Sequence, residues 1–266
     1  MFRYFKILIV VLISVVLRIY SYFFVKPRKN CIPPIDNEIF LKPAVVVAND
    51  IREGKLKSKD VVEIYLRRIQ SVNKFINAIV DLNKNAVKEA EAIDEMVRRQ
   101  NAGEESNGEV SIHDMPLLGV PVSTKDSVAI KGLLFTAGLY ARRNTTADED
   151  ADIIKNLRKA GAIPIALTNV PELLMWSDST NCIFGVTRNP YDLSRSPGGS
   201  TGGDAALLSS AGSVIGIGSD IAGSIRVPSF RCGIFGHKVT PKVMPENGRF
   251  PETSDLLLSL NTTGPM

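Results

Sequence analysis

The stretch Ser196–Arg226 reads SPGGSTGGDAALLSSAGSVIGIGSDIAGSIR and contains eight glycines and seven serines. Glycine lets a backbone bend sharply and approach other groups closely. This density of small residues predicts a chain whose N–H groups and hydroxyls point at a ligand. A Gly/Ser-rich linker is the simple alternative, but a linker would not include the apolar residues of 213–218, which predict a short buried strand. Two serines stand out, Ser200 and Ser224, because each is flanked by glycine and they lie 24 residues apart.

A nucleophilic serine needs a base beside it, and the chain has two histidines, His113 and His237. Residues 198–202 (GGSTG) match the G-x-S-x-G pattern of α/β-hydrolases, and Asp220 and His237 follow in the order of a Ser-Asp-His triad. That pattern requires a strand directly before its serine, whereas NPYDLSRSP precedes Ser200 and is typical of turns. This argues against an α/β-hydrolase, and an esterase that uses Ser200 is kept only as an alternative. A phosphate-binding P-loop is excluded, since no Gly-Lys-Ser/Thr ends the run.

A lysine offers a different base. The run LGVPVSTKD over 118–126 places Lys125 between a short apolar segment and a turn. An isolated lysine there would be a solvated surface residue. Together with NPYD, SPGGSTGG and GSDIAGSIRVPS, however, this run resembles the amidase signature family of serine hydrolases, from about residue 43 to Met266. Within that family, SDIAGSIRVP and GIFGHK look most like the membrane-anchored fatty-acid amide hydrolases.

The resemblance implies an α/β amidase signature fold, with a mixed central sheet flanked by helices, and a Ser-Ser-Lys relay. Ser224 would be the acylated nucleophile, Ser200 the bridging serine in a cis peptide after Gly199, and Lys125 the base. An unperturbed lysine has a pKa of ~10.4, so Lys125 must be buried to be neutral near pH 7. The relay needs no metal and no organic cofactor.

The resemblance also implies contacts with the substrate, a lipid-like amide. Backbone N–H groups would face the developing oxyanion, namely those of Ile221, Ala222, Gly223 and Ser224. The apolar residues 173–176 are either core or part of an acyl-chain channel, and Leu174 is the candidate for the channel. Ala222 stands where the family usually has glycine, and Asp204 stands where glutamate is more usual. A homodimer is implied by analogy alone.

Residues 5–25, FKILIVVLISVVLRIYSYFFV, predict a transmembrane helix, since a single span needs about 20 mostly apolar residues. A cleaved signal peptide is the alternative, but KPRK follows over 26–29 instead of a small-x-small cleavage site. We therefore expect a membrane protein with an N-terminal anchor over 1–28, a linker over 29–43 and an amidase domain over 44–266. Basic residues flank both sides of the anchor, so the pattern leaves its orientation open.

Helical and strand-type patterns alternate along the rest of the chain, which predicts an α/β layered fold. Helices are expected from Ser58, as N-cap, through Ile69, over 85–100 and over 151–160, and strands over 119–124, 163–168 and 213–218. Because the resembling family continues past Met266, we expect an incomplete sheet and an incomplete domain. A non-catalytic, truncated, membrane-tethered relative is therefore a second functional hypothesis.

Composition sets further limits. The net charge of +4, with 23% charged residues, indicates no nucleic-acid partner. The three cysteines, Cys31, Cys182 and Cys232, form no C-x-x-C pair. We expect them to be buried free thiols rather than disulfides or zinc ligands.

Overall fold

The computed structural model describes residues 2–24, 32–104, 110–252, 254 and 259–266. Its α-helices are α1 (Phe2–Phe24), α2 (Ala44–Arg52), α3 (Ser58–Ile76), α4 (Ala86–Asn101), α5 (Asp152–Lys159), α6 (Gly202–Ser209) and α7 (Arg226–Cys232). Its strands are β1 (Ile79–Leu82), β2 (Pro121–Lys125), β3 (Ile163–Thr168), β4 (Thr180–Asn181), β5 (Gly185–Val186), β6 (Ile215–Ser219) and β7 (Thr263–Pro265). Short 3-10 turns cover Glu38–Leu41, Ile112–Asp114, Tyr140–Arg142 and Glu172–Leu174.

The central sheet has the strand order β1-β3-β2-β6-β7 among the described residues. Strand β2 pairs in parallel with β3 and β6, while β1 and β7 pair antiparallel at the two edges. The mixed sheet confirms the expected fold class. Both β2 and β3 are buried along their whole length. Strand β3 accordingly reads as an apolar run, whereas β2 buries the polar residues Ser123, Thr124 and Lys125. The register places Lys125 opposite Thr168 and Ser219 opposite Thr263.

Helices cover the sheet and bury one contiguous apolar core. Helices α3 and α4 pack against each other. Helix α3 also contacts β2, α4 and α5 contact β3, and α6 contacts β2, β3 and β6. Helix α3 shows how the sequence produces this packing. Its buried residues recur at helical spacing, so one stripe faces the core, and Asn77 ends the helix in the left-handed conformation at φ 49°.

Most predicted elements are present, with shifted ends. The expected strand at 163–168 is β3 to the residue, and the helices expected at 85–100 and 151–160 are α4 and α5. Strand β2 begins only at Pro121, because the Val120 N–H donates to Leu117 in a turn. Strand β6 extends to Ser219, because that residue pairs with β7. The second shift depends on a contact with a distant segment, which local patterns do not reveal.

The predicted N-cap of α3 is wrong. Lys57 is the capping residue, and Ser58 is the first helical residue, with its hydroxyl donating to the Gly119 carbonyl at 3.3 Å. The backbone N–H groups of Ser58 and Lys59 instead donate to the Asp94 carboxylate of α4, at 2.6 and 3.0 Å. The free N–H groups at a helix start need acceptors, and here a neighbouring helix supplies them.

Helix α1 covers most of the predicted anchor. In the part of the chain that the structure describes, however, no helix combines the length and apolarity needed to cross a membrane. The predicted transmembrane helix is therefore not supported. Residues 25–31, which include the end of the predicted anchor and the start of the predicted linker, lie outside the described residues.

The expectation of buried cysteines holds in part. Cys232 is buried, and burial raises the pKa of its thiol to about 12. Cys182 is exposed, contrary to the expectation, because it lies in the turn that joins β4 and β5. Cys31 lies outside the described residues.

Replacing Asp94 with alanine should destabilise the fold by about 1–2 kcal/mol, because two helix N–H groups lose their charged acceptor. Urea unfolding followed by circular dichroism measures the loss. Glu91→Ala on the same helix is the control. Its ion pair with Lys59 is solvent-exposed, so its loss should destabilise the fold much less than the loss of Asp94. Equal losses in the two variants would contradict the capping role.

Candidate active site

The predicted base lies where the parallel strands end. Lys125 is the last residue of β2, and it is fully buried. Its Nζ atom lies 2.8 Å from Ser200 Oγ and 3.0 Å from Ser219 Oγ. Ser219 is the last residue of β6. The carboxyl ends of parallel strands are where α/β sheets usually bind ligands. The structure thus joins two of the predicted catalytic residues and adds a third polar group, Ser219.

Ser200 follows the strand-free segment before α6, and its peptide bond with Gly199 is cis, as the resemblance implies. Ser179 holds this segment: its Oγ donates to the Gly198 carbonyl at 3.1 Å and accepts from the Gly202 N–H at 2.9 Å. Helix α6 then packs tightly on β3. A Cβ on Gly203 would lie 2.5 Å from the backbone of Asn169, so only glycine allows this approach.

The segment that carries Ser224 is organised by the buried carboxylate of Asp220. Asp220 accepts hydrogen bonds from the Gly223 N–H at 2.8 Å and the Ile225 N–H at 3.1 Å. The Arg226 guanidinium and the Lys238 amine also donate to it. Burial acts against ionisation of Asp220, but these donors outweigh it and hold the pKa of Asp220 well below its usual range.

The Asp220 contacts include an ion pair and also bear on one prediction. The Arg226 guanidinium pairs with the Asp220 carboxylate, with Nη2 3.0 Å from Asp220 Oδ1. The expectation that the Gly223 N–H faces an oxyanion needs correction, because this N–H already donates to Asp220. The N–H groups of Ile221, Ala222 and Ser224 donate to no group within the described ranges.

The charges around Lys125 favour its neutral form. Burial lowers the pKa of Lys125 to about 7, and the positive charge of Arg249 acts in the same direction. The carboxylates of Asp204 and Asp220 oppose this effect. Asp204 is itself fully buried and accepts a hydrogen bond from Ser123 at 2.6 Å, and burial raises its pKa to about 7. Lys125 can therefore exchange a proton near neutral pH.

Ser200, Ser219 and Ser224 line one cavity of about 660 Å³. The predicted substrate contacts Leu174, Ile221, Ala222 and Gly223 line it as well. Its remaining apolar walls include Leu173, Met175, Trp176, Val227 and Pro251, and its polar wall includes Arg249 and Asn261. Of the two interpretations of residues 173–176, the channel is favoured, because none of the four is buried and all line the cavity.

The structure argues against the Ser-Asp-His alternative. No strand lies directly before Ser200, since β5 ends at Val186. Asp220 pairs with Arg226 and Lys238 rather than with histidine. The His237 side chain is exposed, and its backbone N–H donates to Pro265. His113 is exposed in a 3-10 turn. Among the described residues, no group of three His, Cys, Asp or Glu side chains could hold a metal ion.

Sequence reasoning missed several polar residues of the site. Ser219 stands directly before Asp220 in the GSDIAGS motif, and this neighbourhood could have drawn attention to it. In GIFGHK, the residue that contacts the site is Lys238. Its Nζ donates to the carbonyls of Asp220 and Leu260 at 2.7 Å each. Arg249 lies in a polar segment without a motif, and no local signal points to it.

Comparison with known proteins agrees with this geometry. A family model described as Amidase matches residues 60–266. Fatty-acid amide hydrolase 2-A of Danio rerio is 43% identical over 237 residues, which cover 88% of this chain and 44% of that protein. Fatty-acid amide hydrolase 2 of Homo sapiens is 43% identical over 235 residues, which cover 88% of this chain and 43% of that protein.

Solved structures show the same likeness. A structure of fatty acid amide hydrolase matches with a TM-score of 0.74 and 29% identity, over 85% of this chain and 38% of that one. A peptide amidase from Stenotrophomonas maltophilia matches with a TM-score of 0.71 and 28% identity, over 84% of this chain and 44% of that one. The chain thus spans less than half the length of these relatives. Since the family model covers most of it, the chain belongs to the amidase family.

Proposed function

We propose that this chain hydrolyses amide bonds, those of fatty-acid amides in particular, through a Lys125–Ser200–Ser224 relay and an acyl-enzyme intermediate. One observation carries the proposal. Lys125 is fully buried and hydrogen-bonded to Ser200, and Ser200 and Ser224 line the same cavity. A buried amine that is neutral near pH 7 can act as a base, which a solvated lysine cannot.

The relay moves one proton in each direction. Neutral Lys125 accepts the Ser200 hydroxyl proton while Ser200 Oγ accepts the proton of Ser224, whose oxygen attacks the amide carbonyl carbon. The tetrahedral intermediate collapses as Lys125 returns a proton through Ser200 to the leaving nitrogen. The C–N bond breaks, the amine departs and the acyl group stays on Ser224 as an ester. Water, deprotonated by the same relay, then hydrolyses that ester.

The oxyanion of the intermediate needs hydrogen-bond donors that are already in place. The N–H groups of Ile221, Ala222 and Ser224 are the candidates, since Asp220 occupies the Gly223 N–H. One such donor is worth roughly 3–4 kcal/mol in the transition state. By fixing the turn before Ser224, Asp220 keeps these donors oriented without touching the substrate.

The substrate class rests on two supports. The cavity combines an apolar wall around Leu174 and Trp176 with a polar wall around Arg249, which suits an amide that has a long acyl chain. Two of the relatives named above and one of the matching solved structures are fatty-acid amide hydrolases. Attachment to a membrane stays a prediction from the apolar run 5–25 and from resemblance, and a homodimer stays a prediction from resemblance alone.

A fluorophosphonate, which phosphorylates activated serines, tests the relay. We expect the parent chain to be labelled, Ser224→Ala to lose labelling, and Ser200→Ala and Lys125→Ala to be labelled at least ~10²-fold more slowly, the usual cost of losing acid–base catalysis. Intact-protein mass spectrometry measures the rates. Folded but unlabelled parent protein would favour the non-catalytic relative. Labelling that persists in Ser224→Ala but vanishes in Ser200→Ala would favour the esterase alternative.

Labelling should depend on pH in a direction set by Lys125. The amine acts as a base only when neutral, and burial places its pKa at about 7. The rate should therefore rise with pH through about 7 and level off above it. Rate measurements from pH 5 to about 9 show this dependence. A rate that rises only near the ordinary lysine pKa of ~10.4 would contradict a desolvated base.

The channel predicts a chain-length effect. Leu174→Trp adds bulk to the apolar wall and should lower kcat/KM for a long-chain fatty-acid amide about tenfold, while a short-chain amide is affected less. Phe235→Ala is the control, because Phe235 is 96% exposed and does not line the cavity. Equal losses for both substrates would place Leu174 outside the acyl-binding region.

A further inference from the structure

Arg249 is a buried cation that the relay does not use. It is 9% exposed and lines the cavity together with Ser200 and Ser219, the two hydroxyls that contact Lys125. Three described contacts hold its guanidinium: it forms an ion pair with the Glu246 carboxylate, Nη1 donates to Thr263 Oγ at 3.1 Å, and Nη2 donates to Asn261 Oδ1 at 3.2 Å. Burying a charged side chain costs free energy even when it is paired, as Arg249 is with Glu246, so this placement calls for an explanation.

The sheet register brings Arg249 to the base. Thr263, which accepts from Arg249, is the register partner of Ser219 in the pairing of β7 with β6. Ser219 Oγ in turn lies 3.0 Å from Lys125 Nζ. The guanidinium and the amine are therefore separated by one pair of neighbouring strand residues, in a region that is almost fully shielded from water. Like charges at such a position repel strongly because solvent screens them little.

We infer that Arg249 is a positioning residue for the proposed amide hydrolysis: its fixed positive charge keeps the Lys125 amine neutral and so ready to accept a proton. The inference rests on the proposed function for its role in the reaction. It agrees with the electrostatics of the site, where Arg249 follows burial as the second cause of the lowered pKa of Lys125.

The other charges around Lys125 fit this arrangement. Asp204 on α6 and Asp220 after β6 both favour the protonated amine, and the charge of Arg249 acts together with burial against them. Glu246 forms an ion pair with Arg249 and also accepts from the Thr263 N–H at 3.0 Å. Its negative charge weakens the field of Arg249 at Lys125. Arg249 and Glu246 therefore act on the protonation of Lys125 in opposite directions.

Nuclear magnetic resonance of the lysine side-chain amines tests the inference without requiring activity. Lysine labelled with ¹³C and ¹⁵N gives the pKa of Lys125 directly, and the spectrum of Lys125→Ala identifies its signal. Arg249→Gln keeps donors for Thr263 and Asn261 but removes the charge, and should raise this pKa by about one unit. Arg249→Lys keeps the charge and should stay near the parent. Glu246→Gln should shift the pKa in the opposite direction.

The pH dependence of fluorophosphonate labelling connects this shift to the reaction. In Arg249→Gln the rising part of the profile should move to higher pH, which makes labelling about tenfold slower below neutral pH than at the plateau pH. A slower rate at every pH, with an unmoved profile and an unmoved amine signal, would show a merely structural role and overturn the inference. If the parent is not labelled, the proposed function fails, and the resonance shift still decides whether Arg249 controls Lys125.

Discussion

The hydrogen bond between Lys125 and Ser200 joins two parts of the chain that are 75 residues apart, and both side chains are buried. Transferring an ammonium ion from water to a protein interior costs several kcal/mol, so the fold can hold this lysine there only if its charge is offset or lost. Burial therefore does two things at once. It fixes the amine against the serine, and it makes the neutral form accessible at ordinary pH.

The surroundings of two ionisable groups in the site favour opposite charge states, the neutral form of Lys125 and the charged form of Asp220. Lys125 is fully buried and has a cation, Arg249, nearby, and both burial and that cation disfavour its charged form. Asp220, only one residue past Ser219, meets backbone N–H groups, Arg226 and Lys238, which favour its charged form. One becomes a base near neutral pH and the other a permanent anion that orders the segment before Ser224. Neighbouring groups with opposite tasks are typical of hydrolytic sites.

Much of this could be predicted from the sequence, because the deciding features are local. The apolar run 163–168 and the glycine clusters around Ser200 and Ser224 each reflect a constraint on one short segment, either burial on both sides or close backbone approach. The cap of α3 by Asp94, the contact of Ser219 with Lys125 and the position of Arg249 depend on segments far apart in the chain. No local pattern encodes such contacts, so they could not be predicted.

Backbone conformation explains why alanine is tolerated at one position of the segment before Ser224. Ala222 has no positive φ and its side chain is exposed at the cavity, so its methyl group meets no backbone strain. Gly223 has a φ of +129°, a conformation that L-residues rarely adopt, and a Cβ there would lie 2.9 Å from Val227. Its N–H must also reach Asp220. The turn therefore requires glycine at 223 but not at 222, and the departure from the usual Gly-Gly pair leaves the geometry before Ser224 intact.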